Sequence, residues 1–68
     1  MKYTIQWTDK RGKNRSQWTT NFQELLIRMR SLTKQRIEAV VYQNNQIVGR
    51  VWKDNSQRIA WNYSIETS

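Results

Sequence analysis

The chain has 68 residues, of which twelve are lysine or arginine and five are aspartate or glutamate, so its formal net charge is +7. It contains neither cysteine nor histidine, which excludes disulfides, thiolate nucleophiles, Ser-His-Asp triads and the commonest transition-metal sites. From this composition we expect one domain spanning residues 1–68, with no metal, no cofactor and no catalytic residue, in a reducing, cytoplasmic environment.

The first predicted strand covers residues 2–8, where apolar and polar side chains alternate with the period of a half-buried strand. Its apolar face consists of Tyr3, Ile5 and Trp7. Aromatic rings must supply much of the core, because so short a chain buries only about 60% of its unfolded surface, and each large ring can bury roughly 150–250 Å². A second strand over residues 16–20 completes a predicted hairpin with the first.

The turn of this hairpin decides which side of the sheet Trp18 faces. A two-residue type II′ turn fits either Gly12-Lys13 or Arg11-Gly12. The two registers give Trp18 different partners in the first strand, but both place it on the apolar face of that strand. We therefore predict that Trp18 is buried, and that Trp18→Ala is among the most destabilising substitutions, at a cost of roughly 3–5 kcal/mol.

The next segment changes to a helical period. Residues 21–33 are predicted as an α-helix that begins at a capping box, formed either by Asn21 with Glu24 or by Thr20 with Gln23. Apolar side chains recur there at steps of three and four residues, which places them in one stripe along the helix. The stripe consists of Phe22, Leu25, Leu26, Met29 and Leu32.

Three more strands are predicted after the helix, over residues 37–43, 46–53 and 58–66, all rich in β-branched and aromatic residues. Asn44-Asn45 suits a type I′ turn between the first two of these strands. The predicted order ββαβββ corresponds to an α+β fold, in which a small antiparallel sheet carries one helix packed on one face.

The turn near residues 54–57 leaves the buried face of the last strands undecided, because a slip of one residue exchanges the two faces. A three-residue loop groups Trp61 with Gly49, Val40, Tyr42, Ile47, Val51 and Tyr63. A two- or four-residue loop instead groups Trp61 with Val48, Arg50, Trp52 and Ile59. In both cases apolar and aromatic residues are left on a second, exposed face, which suits a base-stacking platform or a protein interface.

Cations cluster at the predicted tip of the first hairpin, where four of the six residues in Lys10–Arg15 are basic and Trp7 and Trp18 lie beneath them. The like charges of these four side chains repel one another, and binding of a polyanion relieves that repulsion. A second basic patch is predicted around the 54–57 turn, beside a ring that can stack on unpaired bases. We predict a small, non-enzymatic module that binds nucleic acid, either DNA or RNA, through Lys10, Arg11, Lys13, Arg15, Arg50, Trp52, Lys53 and Arg58.

The alternative is a protein-interaction module or a homodimer. It depends on Ile27, which lies off the apolar stripe of the helix, on the uncovered sheet face, and on an edge strand that can pair with a partner. The positive charge then matches an acidic protein. A membrane partner is not expected, because the longest apolar runs, Leu25–Ile27 and Ala39–Val41, are far too short to span a bilayer.

Overall fold

The structure is a computed structural model that describes residues 2–55 and 60–66. Its elements are β1 (Tyr3–Thr8), β2 (Asn14–Thr19), α1 (Phe22–Gln35), β3 (Ala39–Gln43), β4 (Gln46–Asp54) and β5 (Ala60–Ile65). The order ββαβββ and the α+β fold predicted from the sequence are confirmed. The predicted start of the last strand, at residue 58, lies outside the described residues.

The five strands form one antiparallel sheet in the order β2-β1-β3-β4-β5. β1 and β3 are neighbours in the sheet although β2 and α1 lie between them in the chain. The helix packs on one face of the sheet, which we call the helix face. Because they come first and last in the strand order, β2 and β5 are the edge strands. Among the described residues, no second layer covers the face opposite α1.

The side chain of Asn21 caps the N-terminus of α1, which decides between the two predicted capping pairs. Its oxygen accepts the backbone N–H of Gln23 at 2.9 Å and that of Glu24 at 3.2 Å, and these donors have no partner within the helix. Arg36 is the C-cap residue of α1 and has a left-handed backbone conformation (φ 59°). Its N–H donates to the carbonyls of Leu32 and Thr33 in the last turn. No helix within the described residues combines the length and apolarity needed to cross a membrane.

The core lies between α1 and the helix face. From the predicted stripe, Leu25, Met29 and Leu32 are buried there, and Phe22 packs against them. The sheet and the segment before β3 contribute Ile5, Ile37, Ala39, Val41 and Val51. Around this centre pack Tyr3, Trp7, Val48, Trp61, Tyr63 and Ile65. Of the three aromatic residues predicted for the first apolar face, Tyr3 and Trp7 thus lie at the rim of the core rather than at its centre.

Trp18 does not belong to this core, and the prediction that it is buried is wrong. Three residues separate Asp9 from Lys13, whose carbonyl accepts the Asp9 N–H at 2.9 Å. Gly12 has φ +83°, the left-handed conformation that follows a type I turn in three-residue hairpin loops. An odd loop shifts the register by one residue relative to a two-residue turn, so Trp18 pairs with Thr4 and is 62% exposed on the opposite face.

The β3–β4 hairpin has the predicted Asn44-Asn45 turn, and both residues have positive φ, 52° and 63°. A β-bulge then shifts the register between Val41 and Tyr42, because β4 contains one extra residue there. Tyr42 pairs with Ile47 on the turn side of the bulge, whereas Val41 pairs with Gly49 beyond it. The bulge thus lets a two-residue turn coexist with Val51 on the same face as Val41.

The register of β5 agrees in part with one of the two groupings that the sequence left open. Five residues separate the paired residues Asp54 and Ala60, so the connection is odd in length. As expected for an odd loop, one face is shared by Gly49, Val51, Trp61 and Tyr63. The remaining members of that predicted group lie on the opposite face because of the bulge: Val40, Tyr42 and Ile47. Ile59, from the other predicted group, lies outside the described residues.

Candidate nucleic-acid interface

Three connections of the chain meet at one end of the sheet, which we call the basic end. The antiparallel register brings there the β1–β2 loop, the α1–β3 connection, and the facing ends of β4 and β5. Among the described residues, these segments contain or adjoin three acids, Asp9, Glu38 and Asp54. They also contain or adjoin seven cations, namely Lys10, Arg11, Lys13, Arg15, Lys34, Arg36 and Lys53. Positive charge therefore dominates this end.

Asp9 organises the tip of the β1–β2 hairpin. Its carboxylate accepts the backbone N–H of Arg11 and of Lys13, both at 2.9 Å, and the guanidinium of Arg15 at 3.1 Å. The Lys13 hydrogen bond is the main cause that lowers the pKa of Asp9; partial burial opposes it, and the Arg15 and Arg11 bonds reinforce it. Arg15 is thus held in an ion pair within the loop, whereas Lys10, Arg11 and Lys13 are exposed.

The face opposite α1 is uncovered, and we call it the open face. Directly paired residues of antiparallel strands share a face, so the register assigns its side chains to rows across the sheet. The row farthest from the basic end contains Trp18, Thr4, Tyr42 and Ile47. The middle row contains Ser16, Gln6, Val40, Arg50 and Ser64. The row nearest the basic end contains Asn14, Thr8, Trp52 and Asn62.

Four of the five residues of the middle row, all except Ser64, line a broad concavity on the open face. Its volume is about 740 Å³, and its lining includes Gln6, Ser16, Val40, Tyr42, Arg50 and Trp52. Glu38, one residue before β3, also lines it. Short and polar side chains thus lie between aromatic ones, which suits a ligand that both stacks and forms hydrogen bonds.

Arg50 and Trp52, two of the predicted site residues, lie together on the open face. The guanidinium carbon of Arg50 is 5.0 Å from the centroid of the Trp52 ring, a cation–π contact. Lys53 does not join them, because it pairs with Trp61 on the helix face. Arg58 lies outside the described residues. On the open face, the described part of the predicted second patch is therefore one cation stacked on one ring.

Trp18 provides a second ring on the open face, and this ring is exposed. The ammonium of Lys2 lies 5.1 Å from its ring centroid. Trp18 is in the row farthest from the basic end, and Trp7 lies opposite Arg15 on the helix face. The two tryptophans therefore do not jointly support the basic tip, contrary to the prediction, because the odd loop places them on different faces.

Sequence reasoning missed the residues that the tertiary fold adds to the site. Lys34 and Arg36 reach the basic end from the C-terminus of α1, and Gln6 and Ser16 reach the concavity from β1 and β2. The basic last turn of the helix was a usable signal, because the chain after α1 must return to the sheet. Gln6 and Ser16 gave no signal of their own, since polar strand residues are common on solvated faces.

Two further cations of α1 lie on opposite flanks of the helix. Arg28 donates a hydrogen bond to the side-chain oxygen of Gln17 on β2. Arg30 donates to the hydroxyl of Tyr63 on β5 at 2.9 Å. Ile27 is 65% exposed on α1. These cations connect the helix to the two edge strands and lie away from the open face.

Comparison of the chain with models of protein families, with curated proteins and with solved structures found no match. Within residues 2–55 and 60–66, no three or more His, Cys, Asp or Glu side chains are grouped so as to hold a metal ion. What the described surface offers is fixed positive charge at one end and rings with hydrogen-bonding groups on the open face.

Proposed function

We propose that this protein is a non-enzymatic module that binds nucleic acid, with phosphates at the basic end and bases on the adjoining open face. The observation that carries the proposal is the convergence of cations from three separate connections on one end of the sheet. The ring of Trp52 lies in the open-face row nearest that end. Charge and stacking surface are therefore adjacent.

Repulsion within the basic end favours an anionic partner. Lys10, Arg11 and Lys13 are exposed within four consecutive residues of one loop, and Asp9 forms its ion pair with Arg15 rather than with them. A phosphate backbone neutralises several such cations at once and releases its own counter-ions. If four to six phosphates are neutralised, log affinity should fall with log salt at a slope of about −3 to −5.

The open face favours nucleic acid over an acidic protein or a second copy of the chain. Four of the five residues in its middle row are polar, with Val40 as the exception. Interfaces between permanently paired subunits are more apolar than this. Rings separated by amide, hydroxyl and guanidinium groups instead match the flat faces and polar edges of bases.

The test compares two double variants that each remove two cations. Lys10→Gln/Lys13→Gln changes the hairpin tip, and Arg28→Gln/Arg30→Gln changes the flanks of α1. Binding is measured by fluorescence anisotropy with labelled oligonucleotides of about 12 nucleotides, within the usual site sizes, at a series of salt concentrations. We expect the tip variant to bind about tenfold more weakly and to reduce the salt slope by about 1.5–2. The helix variant should change binding far less.

Equal losses in the two variants would show that affinity follows net charge alone, and the proposal would fail. It would also fail if poly-glutamate of matched charge competed as well as the oligonucleotide, because the partner would then be an acidic protein. Circular dichroism and thermal unfolding establish that both variants are folded. The tip variant should melt close to wild type, since exposed tip charges contribute little to stability.

A further inference from the structure

We infer that the open face selects single-stranded over double-stranded nucleic acid, with the Trp52–Arg50 pair as its principal base-stacking position. The inference rests on the proposed function. It adds the strandedness of the ligand and the side chains that recognise unpaired bases.

The side chains of Arg50 and Trp52 are stacked on each other. The Arg50 guanidinium lies over the Trp52 ring at 5.0 Å, and Arg50 is exposed whereas Trp52 is half-buried. The pair therefore presents a flat, positively charged plane to solvent. Unpaired bases stack on guanidinium planes as they do on aromatic rings. Inside a duplex both faces of a base are already stacked on its neighbours, so only a single-stranded segment can supply a base here.

The other rings of the open face lie at a distance from Trp52. Tyr42 and the exposed Trp18 share the row farthest from the basic end, whereas Trp52 lies in the row nearest to it. These rows are four residue steps apart, which at a rise of about 3.3 Å per residue is about 13 Å. Neighbouring bases in a duplex strand are only about 3.4 Å apart. The two aromatic positions would therefore hold different bases of an extended strand.

Polar side chains lie in the middle row of the open face, between the rows that contain the rings. The exposed side chains of Gln6, Ser16 and Ser64 lie in the middle row and offer both hydrogen-bond donors and acceptors. Base edges that can use them are free in a single strand and already paired in a duplex. Glu38 lines the same concavity and repels phosphate, so the concavity favours an uncharged base over the phosphate backbone. Duplex binding at the tip alone would leave the middle row without a role.

The test uses two variants of the stacking pair and one matched control. Trp52→Leu keeps an apolar side chain but removes the ring, and Arg50→Lys keeps the charge but removes the plane. Arg28→Lys makes the same exchange on the other side of the molecule. Affinities are measured for one sequence as a single strand and as a duplex. We expect both open-face variants to weaken single-strand binding by about 5- to 100-fold, with little change for the duplex and little effect of the control.

A second readout is tryptophan fluorescence. Bases that stack on the open face should quench Trp18 and Trp52, whereas Trp7 and Trp61 lie on the helix face. Trp52→Leu should therefore lose part of the quenching caused by a single strand. If Trp52→Leu proves unfolded, Arg50→Lys decides the matter by itself, because it changes an exposed side chain.

The inference is overturned if the duplex binds as tightly as the single strand, or if both open-face variants behave like Arg28→Lys. In either case Lys10→Gln/Lys13→Gln would still weaken binding if the proposed function is correct. If wild type binds neither form even at low salt, the proposed function falls together with the inference. The two failures are therefore distinguishable.

Discussion

Trp18 and Met29 show that exposure, not side-chain size, sets the cost of a truncation. Trp18 is 62% exposed and Met29 is fully buried. Met29→Ala should destabilise the protein by roughly 2–5 kcal/mol, because it leaves a cavity in a small core. Trp18→Ala should cost about 1 kcal/mol or less, mainly the exposed contact with Lys2.

Urea unfolding of the two variants measures this difference. A Trp18→Ala variant that loses as much stability as Met29→Ala would contradict the assignment of Trp18 to the open face. The same measurement decides between the three-residue loop and the two-residue turns, since only an odd loop exposes this ring.

Gly49 allows β4 and β5 to approach closely. A Cβ atom at this position would lie 2.8 Å from the backbone oxygen of Ser64 and 3.3 Å from the Cα of Ile65. Because both obstacles involve the β5 main chain, Gly49→Ala should cost roughly 1–3 kcal/mol through overpacking. It should also accelerate amide hydrogen exchange in β5, the edge strand, more than elsewhere.

Gly12→Asn provides the comparison for Gly49→Ala. A Cβ atom at Gly12 would have no atom of a residue beyond its two chain neighbours within 4 Å. Asparagine also tolerates positive φ better than most residues. This variant should therefore melt close to wild type. Equal melting temperatures for Gly49→Ala and wild type would show that β5 can move aside without cost.

The β1–β2 loop makes stability depend on pH through Asp9. The hydrogen bond from the Lys13 N–H, followed by the bonds from Arg15 and Arg11, lowers the pKa of Asp9 despite partial burial. The folded-state pKa lies below the usual value of about 3.9, so the contribution of the carboxylate is fully present above that value. It is lost as the pH falls through the lower, folded-state pKa.

Asp9→Asn isolates this contribution. The amide oxygen can still accept the two backbone N–H groups, but the ion pair with Arg15 is gone. The wild-type protein should be more stable than Asp9→Asn at pH 7, and this difference should shrink as the pH falls below about 4. Urea unfolding of both proteins at pH 7 and at pH 3 measures it. A difference that is the same at both pH values would contradict the role given to the charge of Asp9.

The hairpins show how connection length controls the faces of the sheet. The β1–β2 loop and the β4–β5 connection are both odd in length, and the bulge in β4 compensates for the even Asn44-Asn45 turn. Together they keep Ile5, Val41 and Val51 on the helix face. One residue more or less in any of them would bring polar side chains towards α1.

At the scale of the whole molecule, the described residues form a two-layer structure with one helix for five strands. This limits the core to eight buried apolar residues within the described part of the chain, so modest changes in packing should affect stability strongly. It also leaves the open face in water, as antiparallel sheets allow. The open face thus follows from the small number of elements.

Positive charge is distributed unevenly over the whole molecule. The β1–β2 loop, the C-terminus of α1 and the end of β4 bring cations to the basic end, whereas Glu24 and Glu66 lie at the opposite end. Such an asymmetric field orients an approaching polyanion before contact and accelerates its association at low salt. This effect belongs to the arrangement of the elements, since no single segment contains all the cations involved.

The sequence by itself determined the element order, because the change from a period of two to a period of 3.6 residues is local information. The alternation in β1, the stripe from Phe22 to Leu32 and the Asn44-Asn45 turn were sufficient for the α+β fold. Net charge and the basic tip were likewise readable from composition. The tip residues, Arg50 and Trp52 were therefore named as candidate site residues from the sequence, and their role in binding nucleic acid stays a prediction.

Only the tertiary structure decided which residues share a surface. The face of Trp18 depended on one residue in a loop, and the faces of Tyr42 and Ile47 depended on one extra residue in β4. Lys34 and Arg36 joined the basic end only once the helix had packed on the sheet, whereas the alternation within β4 by itself separates Lys53 from Arg50. The physical reason is that strand side chains alternate with a period of two residues. A single inserted residue reverses every following assignment, and the helix can pack on only one of the two resulting faces.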